Sequence, residues 1–170
     1  MRNRRTLVLG IGNLLMGDEG VGVHAVQGLA PAALPPQVTV VDGGTGGFHL
    51  LSCFSDYDPI IMIDATLDGR PPGTVSLIEP RYATDFPRSL TAHDIGLRDL
   101  IESAALLGPL PKIYLITVSV AELQPMETTL SEPVQSSIPR VHALVRDLVR
   151  GREGEEGREG REGEEGRKGK

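Results

Sequence analysis

Two apolar runs constrain this chain more than anything else in it: "RTLVLGIG" at 5–12 and "PIIMIDA" at 59–65. A strand with one face in water alternates apolar and polar residues, whereas a strand covered on both faces is apolar throughout. Both runs therefore predict strands at the centre of a parallel sheet. "QVTVVDGG" (37–44), "GTVSLIEP" (73–80) and "KIYLITVS" (112–119) are rich in β-branched residues and give three more strands. Helical patterns fall between them, at about 18–30, 46–56, 93–107 and 132–150. In the last, Val134, Ile138, Val141, Val145 and Leu148 recur at helical spacing. The alternation predicts an α/β three-layer sandwich: a twisted, mainly parallel five-stranded sheet with helices on both faces. The link "DGRPPG" before 73–80 is too short for a helical crossover, so that strand is expected to run antiparallel to its predecessor, at an edge.

Composition narrows the partners. The chain has 17 basic and 23 acidic residues, net −6, and its aromatic share of 4% leaves little for base stacking. Nucleic acid is not an expected partner. No stretch of about 18 apolar residues exists, so no membrane span is expected. The basic start "MRNRR" followed by a short apolar run lacks a signal-peptide cleavage site and reads better as a buried strand. Cys53 is the only cysteine, which rules out an internal disulfide and a cysteine-rich zinc site and suits a reducing cytoplasm. From 151 to 170 glycine recurs at every third position among Arg, Glu and Lys. That segment has collagen's period but no proline and nothing apolar to bury, so it is expected to be a disordered tail. Without its six basic and seven acidic residues the remainder, with 11 and 16, is still −5.

In open α/β sheets, sites gather beyond the carboxyl ends of the strands. Asp18 and Glu19 follow the first strand, Asp42 ends the second, Asp64 ends the third, and His93 opens the helix after the fourth. Asp64 follows four residues that should be fully buried, so its carboxylate needs either a cation or the backbone donors of the turn "DATLDG". Around His93, Thr91 and Asp94 have capping-box spacing; the helix dipole there keeps the imidazole neutral and able to bind a metal. One of Asp18 and Glu19 can serve as the N-cap of the first helix while the other points into the rim. A Glu, an Asp and a His suit Zn²⁺, Ni²⁺ or Mn²⁺ with an open position. Asp42, beside "GGTGG", is a turn former or a residue that positions substrate. His49 and Cys53 are four apart on one helix face, which allows a pair, although a buried Cys beside an exposed His is commoner. His24 and His142 read as solvated helix residues. Neither a Gly-X-Ser-X-Gly elbow nor a His-Glu-X-X-His helix is present.

Several segments, in order, resemble one family. They are "LVLGIGNLLMGDEGVGVHAV" (7–26), "VVDGGTGGFHLL" (40–51), "IIMIDA" (60–65), "GRPPGTV" (69–75), "SLTAHDIGLRDLI" (89–101) and "ITVSVAELQPMETTLSEPV" (116–134). The chain resembles the NiFe-hydrogenase maturation endopeptidases over nearly all of residues 5–150. The most specific element is G-I-G-N-x-L-x-G-D-E-G-x-G. The resemblance implies a protease domain over 1–150 and a metal site of Glu19, Asp64 and His93. It also implies removal of a C-terminal extension from the hydrogenase large-subunit precursor once nickel is inserted. Nickel would arrive with the substrate, and the metal site would be the catalytic centre. Apart from the resemblance, Asp42 lies where it either forms the turn or positions the extension. No nucleotide cofactor is expected: a dinucleotide fingerprint needs Gly where Leu15 stands, and acids would repel a phosphate. A monomer is expected. The same residues would also serve a docking or metallochaperone module that holds the nickel centre without cutting.

Overall fold

The structure, a computed structural model, describes residues 5–87 and 96–165, with the backbone alone for Pro31 and for 152–165. Five strands, β1 (Thr6–Gly10), β2 (Val38–Asp42), β3 (Ile60–Thr66), β4 (Val75–Ile78) and β5 (Ile113–Ser119), form one sheet in the order β2-β1-β3-β5-β4. All neighbours are parallel except β4, which runs antiparallel to β5 at the edge. The short link after β3 thus reverses the strand as expected, but it carries the chain past the end of β5, and β4 pairs there rather than with β3. Gly73 N–H donates to the Ser119 carbonyl on this path.

The apolar runs fill both faces. Leu7, Val8 and Leu9 in β1 and Ile60 to Ile63 in β3 are at most 1% exposed. Alternation sends Leu7, Leu9, Ile60, Met62, Ile113 and Leu115 into one core, beneath α2 (Cys53–Asp56), α3 (Leu97–Leu107) and Phe86. Val8, Ile61, Ile63, Ile116 and Val118 enter the other core, beneath α1 (Val21–Gln27), α4 (Glu132–Gln135) and α5 (Ile138–Glu165). The result is the three-layer sandwich.

The helices differ from expectation in their limits. The first begins as a 3₁₀ turn, Gly17–Gly20, before α1, and the second as a 3₁₀ turn, Phe48–Leu50, before α2. The segment 132–150 holds two helices instead of one. Pro139 sits in the first turn of α5, where its missing N–H costs nothing, and the Ser137 hydroxyl donates to the Val134 carbonyl at 2.6 Å to close α4. The backbone of α5 is helical as far as Glu165.

Candidate active site

The strand order 2-1-3 makes the crevice beyond β1 and β3 a topological switch point, where chain connections leave in opposite directions. The segment that follows β1 is fitted to that crevice by glycines. A Cβ on Gly22 would lie 2.2 Å from the Ile11 carbonyl oxygen and 2.3 Å from that of Ile63, so α1 could not sit on the strand ends with any other residue there. Gly17, at φ +60°, turns the chain so that Glu19 and Asp18 follow on a buried 3₁₀ turn. Neither acid caps its own helix, which corrects the assignment of one of them as N-cap.

The two acids part company. Asp18, 2% exposed, accepts hydrogen bonds from the Ser131 N–H and hydroxyl, both at 2.7 Å. Ser131 is the N-cap residue of α4, so Asp18 ties the first turn of the chain to the start of the last two helices. Nothing in the local sequence signals this contact across 113 positions. Glu19 is also buried, and its Oε2 accepts from the Asn13 N–H at 3.1 Å. Its negative charge reaches Asp64.

Asp64 sits two residues before the end of β3, half-buried, with Oδ1 accepting from the Ala65 N–H at 2.9 Å. Burial pushes its pKa from 3.8 up to about 8; the Ala65 bond opposes this, and the negative charge of Glu19 adds to it. At neutral pH the metal-free pair therefore carries a proton where a cation could sit. Displacing that proton with a divalent ion would replace like-charge repulsion by attraction to both groups. His93, like Thr91 and Asp94, lies outside the described residues. Among the described residues no group of three or more His, Cys, Asp and Glu gathers as a metal site.

Asp42 takes the turn role. It is exposed, its Oδ1 accepts from the Gly44 N–H at 2.8 Å, and its Oδ2 accepts from Gln27 Nε2 at 3.1 Å. The glycine loop is pinned to the end of β1 by Gly43 N–H to the Gly10 carbonyl and Gly12 N–H to that of Gly44. His49 is exposed and Cys53 half-buried, and burial raises the thiol pKa, with Asp56 adding to the rise; this is not an activated nucleophile. The histidines expected in solvent are not there. His142 Nε2 lies 2.7 Å from the Ala25 carbonyl oxygen, joining α5 to α1, and His24 Nε2 is buried with no hydrogen-bond partner. The packing of α5 against α1 engages His142, which single-helix patterning cannot reveal.

Fold and site define a class: an α/β enzyme whose switch point holds coupled carboxylates instead of a phosphate cradle. The HycI model, described as hydrogenase maturation protease, matches residues 23–147. The hydrogenase 2 maturation protease of Escherichia coli is 31% identical over 150 residues, covering 84% of this chain and 92% of that protein. The hydrogenase expression/formation protein HupD of Rhizobium leguminosarum is 35% identical over 139 residues, covering 79% of this chain and 69% of HupD. The structure of the hydrogenase maturating endopeptidase HybD from E. coli superposes with a TM-score of 0.75 at 32% identity, covering 86% and 92% of the two chains. The chain belongs to the hydrogenase maturation protease family, and it is a peptidase. Among the described residues no helix is long and apolar enough to cross a membrane.

Proposed function

We propose that this peptidase removes the C-terminal extension of a NiFe-hydrogenase large-subunit precursor after nickel insertion, and recognises the inserted nickel through Glu19, Asp64 and His93. Membership of the maturation protease family, with Glu19 and Asp64 both at the switch point, supports the reading. Two carboxylates at one rim, one of them kept protonated by burial and by the charge of the other, would form half of a site for a divalent ion. His93, assigned through the family resemblance, would complete it with a nitrogen donor. The nickel belongs to the substrate, so a precursor that has not received it would lack the contact that brings its scissile bond to this rim. Glu19, Asp64 and His93 would hold the metal, which would supply an activated water for peptide hydrolysis, with a nearby carboxylate to take its proton. Asp42 holds the glycine loop in place beside the path of the extension. The lone Cys53 fits a cytoplasmic protein that acts where the large subunit is assembled.

The test is mass spectrometry of nickel-loaded and nickel-free precursor after incubation with the protein. Loss of the extension from the loaded form alone is expected, with Glu19→Ala, Asp64→Ala and His93→Ala inactive. Cleavage of both forms would refute recognition through nickel. Binding of the loaded form without any change in mass would favour a docking role.

A further inference from the structure

The row of the sheet that contains Asp64 holds a second polar group that no described residue satisfies. Asp64 of β3 pairs in register with Thr117 of β5, which pairs in turn with Ser76 of β4. Alternation puts Asp64 on the face of Ile60 and Met62, and Thr117 on the matching face of Ile113 and Leu115. The two side chains are therefore neighbours on one face of adjacent strands. Thr117 is 1% exposed, and among the described residues its Oγ1 has no hydrogen-bond partner. On its other side the Ser76 hydroxyl is engaged, accepting from Arg70 Nη1 at 2.7 Å.

A buried hydroxyl without a partner is costly, and valine has the same shape without that cost. The neighbours along β5, Ile116 and Val118, are the kind of residue this strand otherwise uses. Thr117 thus sacrifices stability next to the one carboxyl group of the row. Asp64 has a fixed donor on Oδ1 only, from Ala65, so its second oxygen and remaining lone pairs are set by whatever else approaches.

We propose that Thr117 is a positioning residue: its hydroxyl donates to the Asp64 carboxylate when that group ligates a divalent cation, fixing which oxygen faces the metal. This rests on the reading of Asp64 as a ligand. A ligating carboxylate is regularly held by such a donor, and losing the donor weakens metal binding by roughly 10-fold or more. Side chains opposite one another on neighbouring strands are about 5 Å apart at Cβ.

The experiment is calorimetric titration of the full chain with Ni²⁺, beside thermal unfolding and precursor cleavage, for wild type, Thr117→Val, Thr117→Ser and Asp64→Ala. Thr117→Val is expected to melt at the same temperature or higher, yet to bind Ni²⁺ about 10-fold more weakly. Thr117→Ser, which keeps the hydroxyl, should bind within about 3-fold of wild type, well inside the valine deficit. Thr117→Val that binds like wild type, while Asp64→Ala does not bind, would overturn the proposal and leave the ligand reading intact. Valine and serine variants that lose affinity together with melting temperature would overturn it as a packing effect. Wild-type affinity retained in Asp64→Ala, or absent from the wild type itself, would remove the ligand reading on which it stands.

Discussion

Replacing Asp64 by Asn should stabilise the metal-free protein, and by an amount that grows with pH. The folded carboxyl holds its proton up to about pH 8, against 3.8 for a carboxyl in water. Between those values the native state binds a proton that the unfolded chain has released, so stability falls as pH rises from 3.8 and levels off above 8. At pH 7 the interval is about three pH units, which at ~1.36 kcal/mol each comes to about 4 kcal/mol. Water at the exposed edge of the half-buried group reduces this, to an expected gain of about 2–4 kcal/mol for Asp64→Asn at pH 7. The gain should be under about 2 kcal/mol at pH 5, where the interval is about one unit. Asparagine cannot ionise, and its Oδ1 can keep the Ala65 bond. Urea unfolding of both proteins in chelator at pH 5, 7 and 8.5 measures the difference, and the subtraction cancels every titrating group not coupled to Asp64. Equal stability at all three values, or a gain that shrinks as pH rises, would refute the account of Asp64 as a carboxyl kept neutral by burial and by Glu19. The same variant should be inactive, because the ionised form is the one that can bind a cation.

Glu19→Gln removes the charge that helps to raise the Asp64 pKa. The pH at which the Asp64-dependent stability levels off should therefore move down, as read from the same unfolding series, and Ni²⁺ affinity should fall. Asp18→Ala leaves the Ser131 N–H and hydroxyl without their acceptor and should cost about 3 kcal/mol in chemical unfolding, the upper range for a hydrogen bond to a charged group. Gly22→Ala forces a methyl onto two carbonyl oxygens and should displace α1, lowering the melting temperature and abolishing cleavage together. Cys53→Ser should leave precursor cleavage unchanged, since the thiol is half-buried with a raised pKa.

The parts of the fold that were legible in the sequence are those whose cause is local. Leu7 to Leu9 and Ile60 to Ile63 are apolar without a break because both faces are covered, and the sequence alone shows that. The shortness of the link "DGRPPG" placed the fourth strand at an edge, running antiparallel. What local patterning could not supply was the interaction of distant segments: Asp18 with Ser131, and His142 with the Ala25 carbonyl. Asp18 and Glu19 look interchangeable in "GDEG", yet one fastens the scaffold and the other faces Asp64. The break between α4 and α5 did have a signal, Pro139, which the regular apolar spacing of 134–148 outweighed. For the site, Asp64 was singled out by its position after a buried run, and its elevated pKa has the cause that position implies: desolvation, with a neighbouring acid.

The location of these polar groups has a physical logic of its own. A carboxyl kept neutral, a second buried acid beside it and an unpartnered hydroxyl one strand away all oppose folding. They stand on β3 and β5 and directly after β1, the three strands with neighbours on both sides and apolar cores on both faces. An edge strand such as β4, short and half-exposed, has little surplus burial with which to offset them. The central strands have that surplus, and their backbone is held by hydrogen-bond ladders on each side, so groups placed there keep their relative geometry without a ligand to hold it. Glycines at 10, 12 and 22 then bring α1 and the segment bearing Glu19 close enough for its charge to reach Asp64. The glycine turn that in other sheets makes room for a phosphate serves here to bring one carboxylate up to another.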